Sequence, residues 1–164
     1  MIFVALSKLC TKIEMQSSKS TGLPQLTYLH LEKNRFTSFP KQAFKLVPSL
    51  LALHLENNII TKLEADSLSG AESLRALYLT GNAINYMSPR ALDRASDLDT
   101  IHLGGNKLKD VPTEALSNMG NLRDLRLSGN PIRWVGPNAF RPVERSLKEL
   151  YLDNTGLEKV SVSC

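Results

Sequence analysis

The 164-residue sequence lacks several features that often reveal function. Its two cysteines, Cys10 and Cys164, are too few to indicate folding in an oxidising compartment. The Cys and His residues do not have the spacing of a metal site, and no cofactor is predicted. No run approaches the ~18 apolar residues of a membrane-spanning helix, so no membrane span is predicted.

A continuous stripe of one charge is also lacking, although the formal net charge is +4. Residues 26–49 carry four Lys or Arg against one Glu, whereas residues 50–73 carry one Lys against four Asp or Glu. Residues 122–146 carry five Arg against two acidic residues. This banding argues against a nucleic-acid partner and fits an ordinary solvated surface. The alternative is a contact with a sulfated glycan at residues 122–146.

What the sequence does contain is a phrase of the form LxxLxLxxN that recurs six times. The copies begin at Leu26, Leu50, Leu74, Leu98, Leu122 and Leu147, so the step is 24 residues four times and then 25. A period in the twenties with this phrase is typical of leucine-rich repeats. It predicts an α/β solenoid, in which a right-handed coil has a concave parallel β-sheet and a short helical or irregular convex side.

Each part of the repeat has a physical reason. The alternating leucines predict a short strand with apolar side chains pointing inward, which stacked coils bury together. The ninth position is usually Asn, whose amide can both donate and accept, so it can satisfy backbone groups inside the coil. This structural ladder is predicted to comprise Asn34, Asn58, Asn82, Asn106 and Asn130. In the sixth repeat the ninth position is Thr155, and we expect Asn154 to substitute there.

The two ends depart from the repeat. We predict a non-repeat leader or cover segment at residues 1–22, the repeat domain at residues 23–160, and a truncated tail at residues 161–164. The N-terminal segment has too few apolar residues for a signal peptide. Because the sequence stops in mid-repeat without a visible cap, we expect a fragment or a truncated gene model. Six stacked coils would also keep Cys10 and Cys164 too far apart for a disulfide.

Strand alternation places the third, fifth and seventh positions of each phrase on the concave face. All three histidines occupy fifth positions, beside Tyr and Arg residues of the kind enriched at interfaces. The predicted partner-binding residues are Tyr28, His30, Glu32, His54, Glu56, Tyr78, His102, Asp124, Arg126 and Tyr151. This set fits a solvated ladder, a protein-binding face, or a metal site at His30 and His54 with a neighbouring Glu. No catalytic residue is predicted, because no nucleophile stands with a base and an orienting acid.

The repeats resemble those of extracellular leucine-rich repeat proteins, as in LYLTGNAI, LRLSGNPI and the Ala-Phe turns at residues 43–44 and 139–140. The extra residue before Leu147, with Thr155 in place of Asn, resembles the chondroadherin group of small leucine-rich proteoglycans. This resemblance implies a secreted, non-enzymatic protein of the extracellular matrix that binds collagen and, in some members, integrin. The alternatives are an ectodomain fragment of a leucine-rich repeat receptor and an intracellular leucine-rich repeat scaffold.

Overall fold

A computed structural model describes residues 22–161. Most of the predicted leader, the tail residues 162–164 and both cysteines lie outside the described residues, as does the predicted separation of Cys10 from Cys164. Within residues 22–161 the chain forms a solenoid of six coils, which confirms the predicted fold.

The concave side is one six-stranded parallel sheet whose strands follow chain order. Its strands are β1 (Tyr28–His30), β2 (Ala52–His54), β4 (Ala76–Tyr78), β6 (Thr100–His102), β7 (Asp124–Arg126) and β9 (Glu149–Tyr151). The register advances by one repeat at each strand, so that Leu53 pairs with Leu29 and Leu77. The 25-residue step is absorbed before β9, because Leu125 still pairs with Leu150. Equivalent repeat positions are therefore neighbours across the whole sheet.

The convex side is built from short pieces, as the sequence predicts. It contains helix α1 (Lys41–Phe44) and 3₁₀ helices at Thr113–Leu116 and Arg141–Val143. The first two begin directly after Pro40 and Pro112. The sequence did not predict two small parallel sheets, which pair β3 (Lys62–Leu63) with β5 (Tyr86–Met87) and β8 (Trp134–Val135) with β10 (Lys159–Val160).

The core is a column of apolar side chains that runs along the solenoid. The central strand residues Leu53, Leu77, Ile101 and Leu125 are all 0% exposed, whereas Leu150 of the last strand is 38% exposed. Complete burial of such a side chain contributes roughly 1.5–3 kcal/mol. The coils therefore stabilise each other mainly through contacts between neighbours.

The asparagine ladder holds adjacent coils together by hydrogen bonds. Asn82 donates to the carbonyl oxygens of Leu55 and Leu79, at 2.9 and 3.0 Å, and accepts from the backbone N–H of Ile60 at 3.1 Å. The same three-bond pattern recurs at Asn58, Asn106 and Asn130. The first member, Asn34, is only partly buried and donates within its own coil. The structure thus places Asn58, Asn82, Asn106 and Asn130 in one ladder between coils, with Asn34 as its weaker end.

The expectation that Asn154 replaces the missing ladder residue is wrong. Thr155 itself is buried, and its hydroxyl donates to the carbonyl of Leu152 at 2.9 Å. Asn154 is exposed and donates to the carboxylate of Asp153. The reason is that the eighth position of every repeat adopts a left-handed backbone, which turns its side chain away from the core. Its φ values lie between 54° and 72° at Lys33, Asn57, Gly81, Gly105, Gly129 and Asn154.

Candidate protein-binding surface

The fifth positions of the repeats form one continuous row across the concave sheet. We call it the central row, and it consists of His30, His54, Tyr78, His102, Arg126 and Tyr151. The rings of His30 and His54 are stacked with centroids 4.3 Å apart, and the rings of His54 and Tyr78 are stacked at the same distance. Parallel strands lie about 4.8 Å apart, so flat rings at equivalent positions reach stacking distance without distortion.

The second half of the central row continues through polar contacts. The ring of His102 meets that of Tyr78 edge to face at 4.8 Å, and its Nε2 lies 3.0 Å from the Asp124 carboxylate. Arg126 donates to the same carboxylate through Nε and a terminal nitrogen at 3.0–3.2 Å. Its guanidinium carbon lies 4.5 Å above the ring of Tyr151, in the geometry of a cation–π contact. Contacts therefore run without interruption from the first strand to the sixth.

Carboxylates from the third and seventh positions flank this row. Glu56 approaches Nδ1 of His54 at 3.0 Å, and Glu32 approaches Nδ1 of His30 at 3.5 Å. At the other end, Glu149 accepts a hydrogen bond from the Tyr151 hydroxyl at 3.0 Å. Four of the five rings thus contact an acidic neighbour, and the fifth, Tyr78, is held between the rings of His54 and His102.

Two ionisable groups in this surface have shifted pKa values. Burial opposes ionisation of Asp124, but hydrogen bonds from Arg126 and His102 outweigh it and hold the pKa of its carboxyl below the ordinary value. Burial raises the pKa of Tyr78, and the nearby carboxylates of Asp99 and Glu56 add to this effect. Asp124 is therefore ionised and Tyr78 is neutral at pH 7, and the charged Asp124 carboxylate can accept hydrogen bonds from both His102 and Arg126.

The surface is accessible to a partner but not uniformly so. The side chains of His30 and Arg126 are each 42% exposed, whereas those of His54 and His102 are 22% and 17% exposed. The structure brings all ten predicted concave residues onto this face, although their role in binding stays a prediction. Sequence reasoning left Glu149 out of that set, although its third-position place beside Tyr151 could have indicated it.

Two alternative sites gain no support from the described part of the chain. Residues 22–161 contain no group of three or more His, Cys, Asp and Glu side chains able to hold a metal ion. His30 and His54 with a neighbouring Glu therefore do not form such a group. Three of the five arginines in residues 122–146 lie on different parts of the coil. Arg126 lies in the concave strand β7, Arg133 lies just before the convex strand β8, and Arg141 lies in a 3₁₀ helix. These three positions do not support the alternative of a sulfated-glycan contact at residues 122–146.

These features define a class of protein, namely a parallel β-solenoid with an open concave face. Comparison with protein families matches the leucine rich repeat over residues 24–84, 77–132 and 96–157. The chain belongs to the leucine-rich repeat family, whose domains are in general protein-interaction modules without enzymatic activity. A comparison with curated proteins gave no match. No helix within residues 22–161 has the length and hydropathy needed to cross a membrane.

Proposed function

We propose that this chain is a non-enzymatic protein-binding module of the extracellular matrix, which holds collagen or another matrix protein against its concave sheet. The observation that carries the proposal is the continuous central row, in which contacts join side chains from all six strands of the sheet.

The chemistry of the central row suits a protein partner. Tyr and Arg dominate binding hot spots because they combine apolar area with hydrogen-bonding groups. Ordering a free, rotamer-rich side chain on binding costs about 0.5–1.5 kcal/mol. Because neighbouring side chains already hold Tyr78 and Arg126, much of that cost is met in the free protein.

The shape of the surface favours an extended partner. Beside the central row, the third positions of the second and third strands are Ala52, which is buried, and Ala76, which is half-buried, so no long side chain stands out from this part of the surface. A rod-like segment lying across the strands could therefore contact several coils at once. Collagen is such a rod, and the family resemblance of the repeats names it as the first candidate. The same resemblance supports secretion to the extracellular matrix as the proposed localisation.

The same geometry gives no reason to propose catalysis. The pair of His102 and Asp124 looks like half of a catalytic triad, but Arg126 shares the carboxylate. The concave sheet is broad and open, so it does not exclude water from a reacting group. We therefore assign these side chains to binding.

Surface plasmon resonance on immobilised triple-helical fibrillar collagen tests the proposal, with heat-denatured collagen as the reference surface. We expect the 164-residue chain to bind the triple helix, and Tyr78→Ala and Arg126→Ala each to weaken binding about fivefold or more. The control is Lys62→Ala on the convex side, where the exposed ion pair with Glu64 contributes little.

Each outcome of this experiment decides a different part of the proposal. If the unaltered chain does not bind triple-helical collagen, collagen is not its partner. If only Lys62→Ala weakens binding, the partner contacts the convex side and the concave assignment is wrong. Circular dichroism of each variant confirms that a loss of binding does not reflect unfolding.

A further inference from the structure

The convex side carries a second row of equivalent positions. Strand pairing aligns Lys62 with Tyr86 and Trp134 with Lys159, and Asp110 lies one repeat step from both Tyr86 and Trp134. The two aromatic side chains of this row are strongly exposed, Tyr86 by 54% and Trp134 by 51%. Large exposed aromatic side chains that are close in space indicate an interaction surface.

The two small convex sheets are separated by a gap between these two aromatics. The backbone N–H of Ser88 donates to the carbonyl of Leu63 at 2.8 Å, and that of Ser161 donates to Val135 at 3.0 Å. Pro112 occupies the same position in the fourth coil, and proline has no N–H to donate. Residues 110–111 are accordingly not part of a strand, although they lie between β5 and β8.

Two cavities open on either side of this interruption. One of about 400 Å³ is lined by Tyr86, Lys107 and Lys109, and the other of about 310 Å³ is lined by Trp134, Gly136 and Pro137. Both are also lined by Asp110 and Val111, so they are neighbouring depressions that follow one another along the solenoid with these two residues between them. We call the two depressions together the convex groove, and it is defined by Tyr86, Lys107, Lys109, Asp110, Val111 and Trp134.

The indole of Trp134 lies at one end of the groove, in space that is free because Gly136 has no side chain. A Cβ atom added to Gly136 would lie only 3.0 Å from a carbon of the indole ring. Glycine therefore lets the ring lie close to the backbone, where it forms a wall of the cavity. The position of the ring is a built feature of the fifth coil.

We propose that the convex groove binds a proline-rich segment of a partner protein in the polyproline II conformation. The two aromatics are two coils apart, which is on the order of 10 Å, because the convex strands on either side of the interruption pair with their neighbours at the spacing of parallel strands. A polyproline II helix repeats every three residues, or about 9.3 Å. Prolines one turn apart can therefore pack on Tyr86 and Trp134, as such segments do in other aromatic-lined grooves.

The direction of the groove also selects this kind of segment. It runs along the solenoid axis and so crosses the short convex strands. A β-strand ligand in that direction could not pair with them, because ladder hydrogen bonds join strands that run side by side. A polyproline II segment has a solvated backbone and needs no such partner.

The charges of the groove add a preference for acidic residues in the segment. Lys107, Lys109 and Asp110 are exposed and take no part in the ion pairs formed within residues 22–161. Two positive charges against one negative charge favour an acidic residue beside the prolines. This site is separate from the concave surface, so it does not depend on collagen binding there.

Trp134 is the sole tryptophan of the chain, so its fluorescence reports directly on the groove. The probe is a peptide of repeated Pro-Pro-Asp triplets, and the control is a Gly-Ser-Asp peptide of equal length and charge. We expect a saturable change in emission with the proline peptide alone. We expect Tyr86→Ala to weaken binding about fivefold or more, and Ile59→Ala, an exposed apolar change outside the groove, to leave it unchanged.

Gly136→Ala provides a second and milder variant, because the added methyl requires the indole to shift by a few tenths of an ångström while both aromatics remain. It should also weaken binding of the proline peptide, with the thermal unfolding midpoint recorded to confirm folding. The proposal is overturned if neither peptide gives a saturable change, or if both give the same one. An unchanged affinity in Tyr86→Ala would equally overturn it.

Discussion

Replacing a ladder asparagine by leucine should destabilise the solenoid far more than replacing an asparagine nearby. Asn82→Leu removes three hydrogen bonds at a site that is 9% exposed. The N–H of Ile60 loses its acceptor, whereas the carbonyls of Leu55 and Leu79 each keep a bond from another ladder asparagine. The damage is therefore one orphaned donor and two lost bonds.

These terms give a magnitude. A buried donor without an acceptor costs about 1–3 kcal/mol, and each of the other two bonds contributes about 0.5–1.5 kcal/mol. The expected loss is about 2–6 kcal/mol in total. Since a domain of this size shifts its unfolding midpoint by about 2–4 °C per kcal/mol, a central value of about 4 kcal/mol lowers it by roughly 8–16 °C.

The matched control is Asn85→Leu, three residues further on. Asn85 is exposed, and the hydrogen bond that its backbone N–H donates to Thr61 is independent of the side chain. Surface changes of this kind stay within about 0.5 kcal/mol. Thermal unfolding followed by circular dichroism compares the two variants with the unaltered chain. Equal shifts of the midpoint in the two variants would refute the conclusion that the hydrogen bonds of Asn82 stabilise neighbouring coils.

Three further outcomes follow from the structure. Gly81→Ala should lower the unfolding midpoint, because φ at Gly81 is 72° and the new methyl would come within 2.5 Å of the Asn57 side-chain oxygen. The control Gly120→Ala should leave the midpoint unchanged, because no atom lies within 4 Å of the added methyl. Lys33→Gly should raise the midpoint, because Lys33 has φ of 57° at the same repeat position and glycine relieves about 1 kcal/mol of strain there. Asp124→Asn should destabilise the chain at pH 7, as measured by urea titration. Because the pKa of the folded Asp124 carboxyl is lowered, the difference in stability between the two chains should shrink as the pH falls below the ordinary Asp pKa, about 3.9. A difference that stays constant with pH would contradict the ion-pair assignment.

The repeat phrase predicts most of the fold because each position has a fixed structural task. Spacing alone identifies the strands, the inward leucines and the asparagine ladder. The error at Asn154 arose because residue type was considered without backbone conformation. The eighth position is Gly or Asn in five of the six repeats, which is the composition of a left-handed position, and this signal could have corrected the prediction.

The details of both candidate surfaces were harder to predict. Strand alternation places the central row, but it does not reveal that Arg126 covers Tyr151 or that His102 shares Asp124, since these contacts depend on side-chain rotamers. The convex groove follows from one substitution in the pattern, Pro112 at a position where Ser88 donates a hydrogen bond. Its importance becomes visible only once the coils are stacked and the neighbouring aromatics are in place.

Histidine footprinting tests binding at the central row most directly, because all three histidines of the chain belong to it. The chain is labelled with diethyl pyrocarbonate with and without saturating triple-helical collagen, and each labelled histidine is quantified by mass spectrometry. Binding on the concave face predicts protection of His30, His54 and His102, with the largest absolute change at the most exposed, His30. Bound collagen with unchanged labelling of all three would contradict it.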